Sequence, residues 1–306
     1  MRSCGRTLLA LVIALSIVGT AALAASGAAP KGRFKVNGHR LYLTCVGSGK
    51  PVVVLDAGLG NDHGAWPNPA RSARRLHTRV CAYDRYGVGR SDGSNKIRTI
   101  GMAASDLSAL LLKAKLKAPY VFAAASIAGL VDREFARRYP KKVAGMVLLD
   151  TAPDDWDIYT GTKTFTWWSE SLNVTVASAA LRARDTLGSK PLVVIESGNP
   201  AEVATWANGK TDFYSYWDSA QRGLAKISSN SIFAVAKGIG HEIPVNAPAL
   251  TDEAMRLVVN AARKHAKLPS CAGSTLPSNG AACDLARPWR SSAGRCTIPV
   301  RAQEGA

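Results

Sequence analysis

Ser126 stands between a short apolar run and a helix-like stretch, in Ala124-Ala125-Ser126-Ile127-Ala128. A serine hydroxyl becomes a useful nucleophile when a sharp strand-to-helix turn pushes it out at the top of a sheet. The helix N-terminus behind such a turn stabilises developing negative charge. The usual string is G-x-S-x-G; here both Gly positions are Ala, the next smallest residue, so the turn is expected to be tighter. Taken alone, a serine in this place is more often a helix N-cap. Its company is what singles it out. Val54-Leu55-Asp56-Ala57-Gly58-Leu59-Gly60 lies upstream, and a small-residue loop after a buried strand brings a backbone N–H to an oxyanion. Tyr83-Asp84-Arg85-Tyr86-Gly87-Val88-Gly89-Arg90-Ser91-Asp92 follows it. Downstream come Val147-Leu148-Leu149-Asp150, then Gly238-Ile239-Gly240-His241-Glu242, then Asn246-Ala247-Pro248.

The elements needed to position these residues are legible in outline. Leu41 to Val46 alternates and reads as a strand, and Gly47 to Pro51 as a turn. Val52-Val53-Val54-Leu55 is continuously apolar, the mark of a strand buried on both faces of a parallel sheet. Thr78–Tyr83, Tyr120–Ala123, Val143–Leu149, Leu192–Ile195 and Ser231–Ala236 read as further strands. Amphipathic helices are predicted over 101–115, over 127–139 (stopping at Pro140) and over 251–266. Strands alternating with helices predict an α/β fold, a mostly parallel sheet flanked by helices. Residues 153–188 hold no clear core strand but contain Trp156, Trp167 and Trp168, and read as a small cap insertion. From 267 to 306 the chain turns to Pro, Ser, Gly and three Cys, a loop-rich tail expected to be held by one bridge.

The 306 residues are 47% hydrophobic and 20% charged, which excludes disorder and low-complexity architectures. Arg2 and Arg6 precede the apolar run Leu8 to Val18, and Ala22-Leu23-Ala24 closes it. That order describes a secretory signal peptide over 1–24, too short in its apolar part for the ~20 residues of a bilayer span. Residues 25–33 then read as a linker and 34–266 as the main domain. Cleavage removes Cys4 and two of the charges behind a formal net charge of +17. Export permits disulfides. With Cys45, Cys81, Cys271, Cys283 and Cys296 left, one thiol is unpaired.

In the order and spacing of these motifs the chain resembles the α/β-hydrolase family over roughly residues 34–266. More narrowly, it looks like exported bacterial esterase- and lipase-like members that carry L-x-C-x-G-x-G, an A-G-L-G loop and C-x-Y-D-R-x-G. The resemblance implies Ser126 as nucleophile, His241 as general base, and the backbone N–H groups of Leu59 and Ile127 as the oxyanion hole. For the acid it offers two places. The loop after Leu192–Ile195 has no Asp where one is expected, while the end of the preceding strand carries Asp150. Asp150 is preferred, with Asp154, Asp155 and Glu196 left open. The resemblance also places the strands of Cys45 and Cys81 side by side, which implies a disulfide. The three pairings among Cys271, Cys283 and Cys296 stay undecided.

The function implied is a secreted serine hydrolase, most simply a carboxylic-ester hydrolase acting on a small-molecule ester. The alternative is a hydrolase-fold protein of the cell envelope that binds and catalyses weakly or not at all, suggested by the Ala-flanked serine. Ser126 chemistry needs no cofactor, and no metal motif or phosphate loop is seen. No zinc-finger, RNP or basic-helix pattern supports specific nucleic-acid binding, so the basic excess suits an anionic envelope surface or plain solubility. The sequence does not set the oligomeric state. Asp84 and Asp92 are read as structural, Asp56 as a hydrogen-bond partner of its loop, and His39, His77 and His265 as ordinary histidines. His63, just after the oxyanion loop, is a candidate pocket residue. Trp66, Trp206 and Trp217 join the cap tryptophans as residues of either an apolar cleft or a packed core.

Overall fold

A computed structural model of the chain describes residues 28–93, 96–184, 186–199, 210 and 212–283. The proposed signal segment, Trp206 and Cys296 lie outside the described residues.

The chain enters the sheet earlier than the sequence suggested. Strand β1 (Lys31–Val36) begins inside the expected linker and pairs antiparallel with β2 (His39–Val46). Asn37 and Gly38 both have positive φ, at 45° and 89°. An Asn-Gly pair in that conformation makes the tight two-residue turn that matches strand twist. Then follow β3 (Val52–Asp56), α1 (Pro69–Leu76), β4 (Val80–Tyr83), the short β5 (Arg98–Thr99), α2 (Ile100–Lys113), β6 (Tyr120–Ala125), α3 (Ala128–Arg138) and β7 (Val143–Leu149). The second half holds α4 (Trp156–Thr160), β8 (Thr164–Trp167), β9 (Glu170–Asn173), α5 (Thr175–Ala183), β10 (Leu192–Ser197), α6 (Phe213–Ala225), β11 (Ser231–Ala236), α7 (Ile243–Asn246), α8 (Pro248–Lys264) and β12 (Ala281–Ala282).

The main sheet has the order β1-β2-β4-β3-β6-β7-β10-β11-β12 among the described residues. From β4 to β11 every neighbouring pair is parallel; β1, β2 and β12 add antiparallel edges. Side chains alternate across it with period two. Val54, Phe122, Leu148 and Val194 pack with α2, α3, α5 and α6 on one face. Val53, Leu55, Val121, Val147, Val193 and Ile195 pack with α1, α7 and α8 on the other. Both faces are covered, so the central strands read as unbroken apolar runs. Each such Leu or Val contributes roughly 1.5–3 kcal/mol by leaving water.

Several helix boundaries follow from the local chemistry. Asn68 caps α1 by accepting from Arg71 N–H, and Pro69 occupies the first turn, where a missing N–H costs nothing. Helix α8 starts at Pro248, three residues before the predicted start, for the same reason. The stretch expected to form a cap holds α4, α5 and a β8–β9 hairpin that joins β5 in a small three-stranded sheet. Cys45 and Cys81 face each other across the β2–β4 ladder and are bridged; Cys271 and Cys283 are bridged in the tail, whose β12 pairs with β11.

Candidate active site

Strand β6 ends in Ala123-Ala124-Ala125, which run level with Val147, Leu148 and Leu149 of β7. The chain then reverses through Ser126, whose φ of 57° is left-handed. A β-carbon is strained there, and such strain persists only when the surroundings hold it. They do: Ser126 N–H donates to Leu149 O at 3.2 Å, and Ser126 O accepts from Gly129 and Ala152. The close packing falls one residue later than the usual motif. A β-carbon at Gly129 would sit 2.5 Å from Thr151 Cβ. Gly129, not position 128, is where helix α3 meets the neighbouring strand end, so Ala128 is accommodated and fully buried.

Asp150 follows β7, also in a left-handed conformation and fully buried. Its Oδ2 lies 2.7 Å from His241 Nδ1. Its Oδ1 accepts from Ser197 N–H at 2.9 Å and from Trp217 Nε1–H at 2.8 Å. His241 is carried on the loop after β11. That loop is anchored to the end of β10 by Gly198 and Asn199 N–H, both donating to Ile239 O. The other acids left open by the sequence are engaged elsewhere. Asp154 pairs with Arg133 and Asp155 accepts from Tyr216 OH, while Glu196 is a buried residue of β10.

Ser126 and His241 line one cavity of about 570 Å³. Leu59 and Ile127 line it too. Gly58 brings its loop against the serine: a β-carbon there would lie 3.4 Å from Ser126 Cβ. Trp156, Phe165, Trp167 and Trp217 supply aromatic wall, and Asn61, Thr162, Thr164, Thr166 and Glu242 polar points. Of the remaining tryptophans, Trp66 is in the core beneath α1 and α8, and Trp168 is 85% exposed at the hairpin tip.

Asp56 differs from the sequence reading. Its carboxylate takes Tyr83 OH and Arg85, and it is Arg85 that binds the loop backbone, donating to Ala57 O at 2.5 Å and Gly58 O at 2.6 Å. Burial raises Asp56 above the usual carboxylate range, with Arg85 pulling it back. Burial likewise works against the Arg85 charge, but Glu170 and Asp56 outweigh it and the guanidinium stays protonated. His63 is not in the cavity wall; its Nδ1 lies 2.8 Å from Asp84 Oδ1. Asp62, His63 and Asp84 bring potential ligand atoms within 4.8 Å of one another, but Asp84 already accepts from the His63 and Arg90 backbone N–H groups. Two residues that matter here escaped the sequence reading. Trp217, seen only as a cleft or core residue, is a donor to Asp150; Glu170 carried no motif at all.

The sequence profile of the alpha/beta hydrolase fold matches residues 50–221. The chain belongs to the α/β-hydrolase family. An uncharacterized Bacillus subtilis protein, YqjL, is similar to this α/β-hydrolase, 26% identical over 212 residues that make up 66% of this chain and 81% of YqjL. Among solved structures, a thermophilic esterase from Thermogutta terrifontis has a TM-score of 0.55 at 20% identity, covering 76% of this chain and 99% of that one. Est816, described as an N-acyl homoserine lactone degrading enzyme, has a TM-score of 0.54 at 17% identity, covering 74% and 99%. These two likenesses carry the fold of the α/β-hydrolase and no substrate.

Proposed function

We propose that the protein is an exported serine hydrolase that cleaves carboxylic esters with Ser126, His241 and Asp150. The observation that carries this reading is a single cavity lined by a strained serine and a histidine, with a buried carboxylate 2.7 Å behind the histidine. Asp150 holds Nδ1–H and so leaves Nε2 as the basic nitrogen. His241 Nε2 takes the Ser126 proton as Oγ adds to the ester carbonyl carbon. The carbonyl oxygen becomes an oxyanion facing the Leu59 and Ile127 N–H groups. The C–O bond to the alcohol breaks, and His241 returns the proton to that oxygen. Water then adds to the acyl-enzyme with His241 again as base, releasing the acid and restoring Ser126.

The aromatic walls favour esters with an apolar, ring-sized or medium-length acyl group. Export is supported by two disulfides, which persist in oxidising compartments. No helix among the described residues is long and apolar enough to cross a membrane. A panel of p-nitrophenyl esters with wild type beside Ser126→Ala tests the reading. Hydrolysis should be abolished in the variant, along with labelling by a fluorophosphonate probe. An inert wild type, or activity that survives in Ser126→Ala, favours the binding-protein alternative or another nucleophile.

A further inference from the structure

A carboxylate of the cap hairpin reaches the oxyanion loop. Glu170 opens β9 on the cap hairpin and is 1% exposed. Its Oε1 accepts from Arg85 Nε at 2.6 Å and its Oε2 from Arg85 Nη2 at 2.9 Å, a bidentate pair. The same Oε2 accepts from Gly60 N–H at 2.7 Å. Arg85, 4% exposed, turns its remaining donors on Ala57 O, Gly58 O and Asp56. The stretch 57–60 is thus held at three backbone points, two by the guanidinium and one by the cap carboxylate. Leu59 lies between them. The hairpin also sits directly on the loop: a β-carbon at Gly60 would lie 2.5 Å from Trp167 Cδ1. Next door, Ser169 Oγ donates to Gly87 O.

We propose that Glu170 is a positioning residue. It couples the seating of the cap hairpin to the orientation of the Leu59 N–H, so that the oxyanion hole is complete only with the hairpin docked. The proposal rests on the serine-hydrolase reading of the site. The physical argument is one of geometry and burial. Gly58 and Gly60 leave the loop backbone free to turn, and an oxyanion donor must be held to within a fraction of an ångström before the reaction begins. The bond from Gly60 N–H fixes the peptide plane that it shares with the Leu59 carbonyl. The Arg85 bonds fix the two carbonyls before it. Removal of Glu170 leaves Gly60 N–H without this acceptor and Arg85 held by Asp56 alone among its acids. Trp156 and Trp217, which line the pocket from helices outside the hairpin, keep their places, so ground-state binding should change less than turnover.

The test uses the full chain with Glu170→Ala and Glu170→Gln. Three quantities are measured: kcat and KM on a p-nitrophenyl ester, inhibition by an alkylboronic acid (which forms a tetrahedral adduct on the serine), and hydrogen exchange of the Gly58–Gly60 amides. Misplacement of a catalytic group by about 1 Å costs about 100-fold. In Glu170→Ala the expected result is a kcat lower by roughly 10- to 100-fold with KM changed less than about threefold. Boronate affinity should fall in parallel with kcat, and Gly60 should exchange faster. Glu170→Gln, which keeps an acceptor for Gly60 N–H, should recover part of kcat and most of the protection. A kcat within about twofold of wild type in Glu170→Ala, or a loss confined to KM, overturns the proposal. If wild type hydrolyses no ester, the serine-hydrolase reading fails, and amide exchange alone decides whether Glu170 holds the loop; unchanged exchange at Gly60 overturns it.

Discussion

Asp150 is surrounded by donors in a way that a simple strand-end aspartate is not. His241 Nδ1, Trp217 Nε1 and Ser197 N all converge on one buried carboxylate. Asp150→Asn keeps the shape and replaces an acceptor with an amide donor toward Nδ1, forcing the other tautomer on the imidazole. We expect kcat to fall by about 10³–10⁴ with the melting temperature little changed, measured by steady-state kinetics and a thermal scan. Asp154 and Asp155, engaged with Arg133 and Tyr216, should tolerate the same change with no comparable loss. Asp132 presents the opposite case. It is fully buried in α3, and neither oxygen has a hydrogen-bond partner among the described residues. Burial, then the nearby Asp56 charge, raises it well above the usual value of 3.8. The folded protein therefore keeps a proton there that the unfolded chain loses above about pH 4. Its contribution to stability declines as pH rises from that point toward the folded value. Asp132→Asn should match wild type near pH 4 and become relatively more stable as pH rises, read from urea midpoints across pH.

At the scale of elements, the turn into α3 shows how an Ala-flanked serine is built. Ala124 and Ala128 bracket Ser126, yet the near-contact is Gly129 against Thr151. Gly129→Ala should cost about 1–3 kcal/mol by overpacking and lower turnover as the elbow shifts; a denaturant midpoint and an ester assay measure both. The A-x-S-x-A string thus carried the position of the turn but not the position of its tight packing, because that depends on where the end of β7 passes. The Asn37-Gly38 turn lay in plain view as a hairpin signal, and its neighbours Lys31–Val36 were hidden by a mixed, polar strand on the sheet edge. The β8–β9 hairpin was harder to see, since Thr164–Trp167 is half exposed and its alternation weak.

Among the described residues the chain is cross-linked twice, at sequence separations of 36 and 12 residues. Loop-closure entropy favours the longer link, roughly 4 kcal/mol against roughly 3 kcal/mol. Cys45→Ala with Cys81→Ala should lower the urea midpoint more than Cys271→Ala with Cys283→Ala. The first pair joins β2 to β4 near the strand that feeds Arg85; the second pins only the tail that carries β12. A larger loss from the tail pair would mean that β12 does more to hold β11, and with it the His241 loop, than its two residues suggest.

The amino-acid sequence by itself determined the α/β pattern, the places of the core strands along the chain, the turn at Ser126 and the loop of His241. Each of those signals is local: a run of apolar residues, a breaker, a small residue beside a polar one. Tertiary structure alone decided which acid meets the histidine, because Asp150 and His241 are 91 residues apart and only the β7–β10–β11 register brings them within 2.7 Å. It also decided the partner of Arg85. Glu170 lies 85 residues away on the cap, and a single buried carboxylate leaves no periodic trace in a sequence.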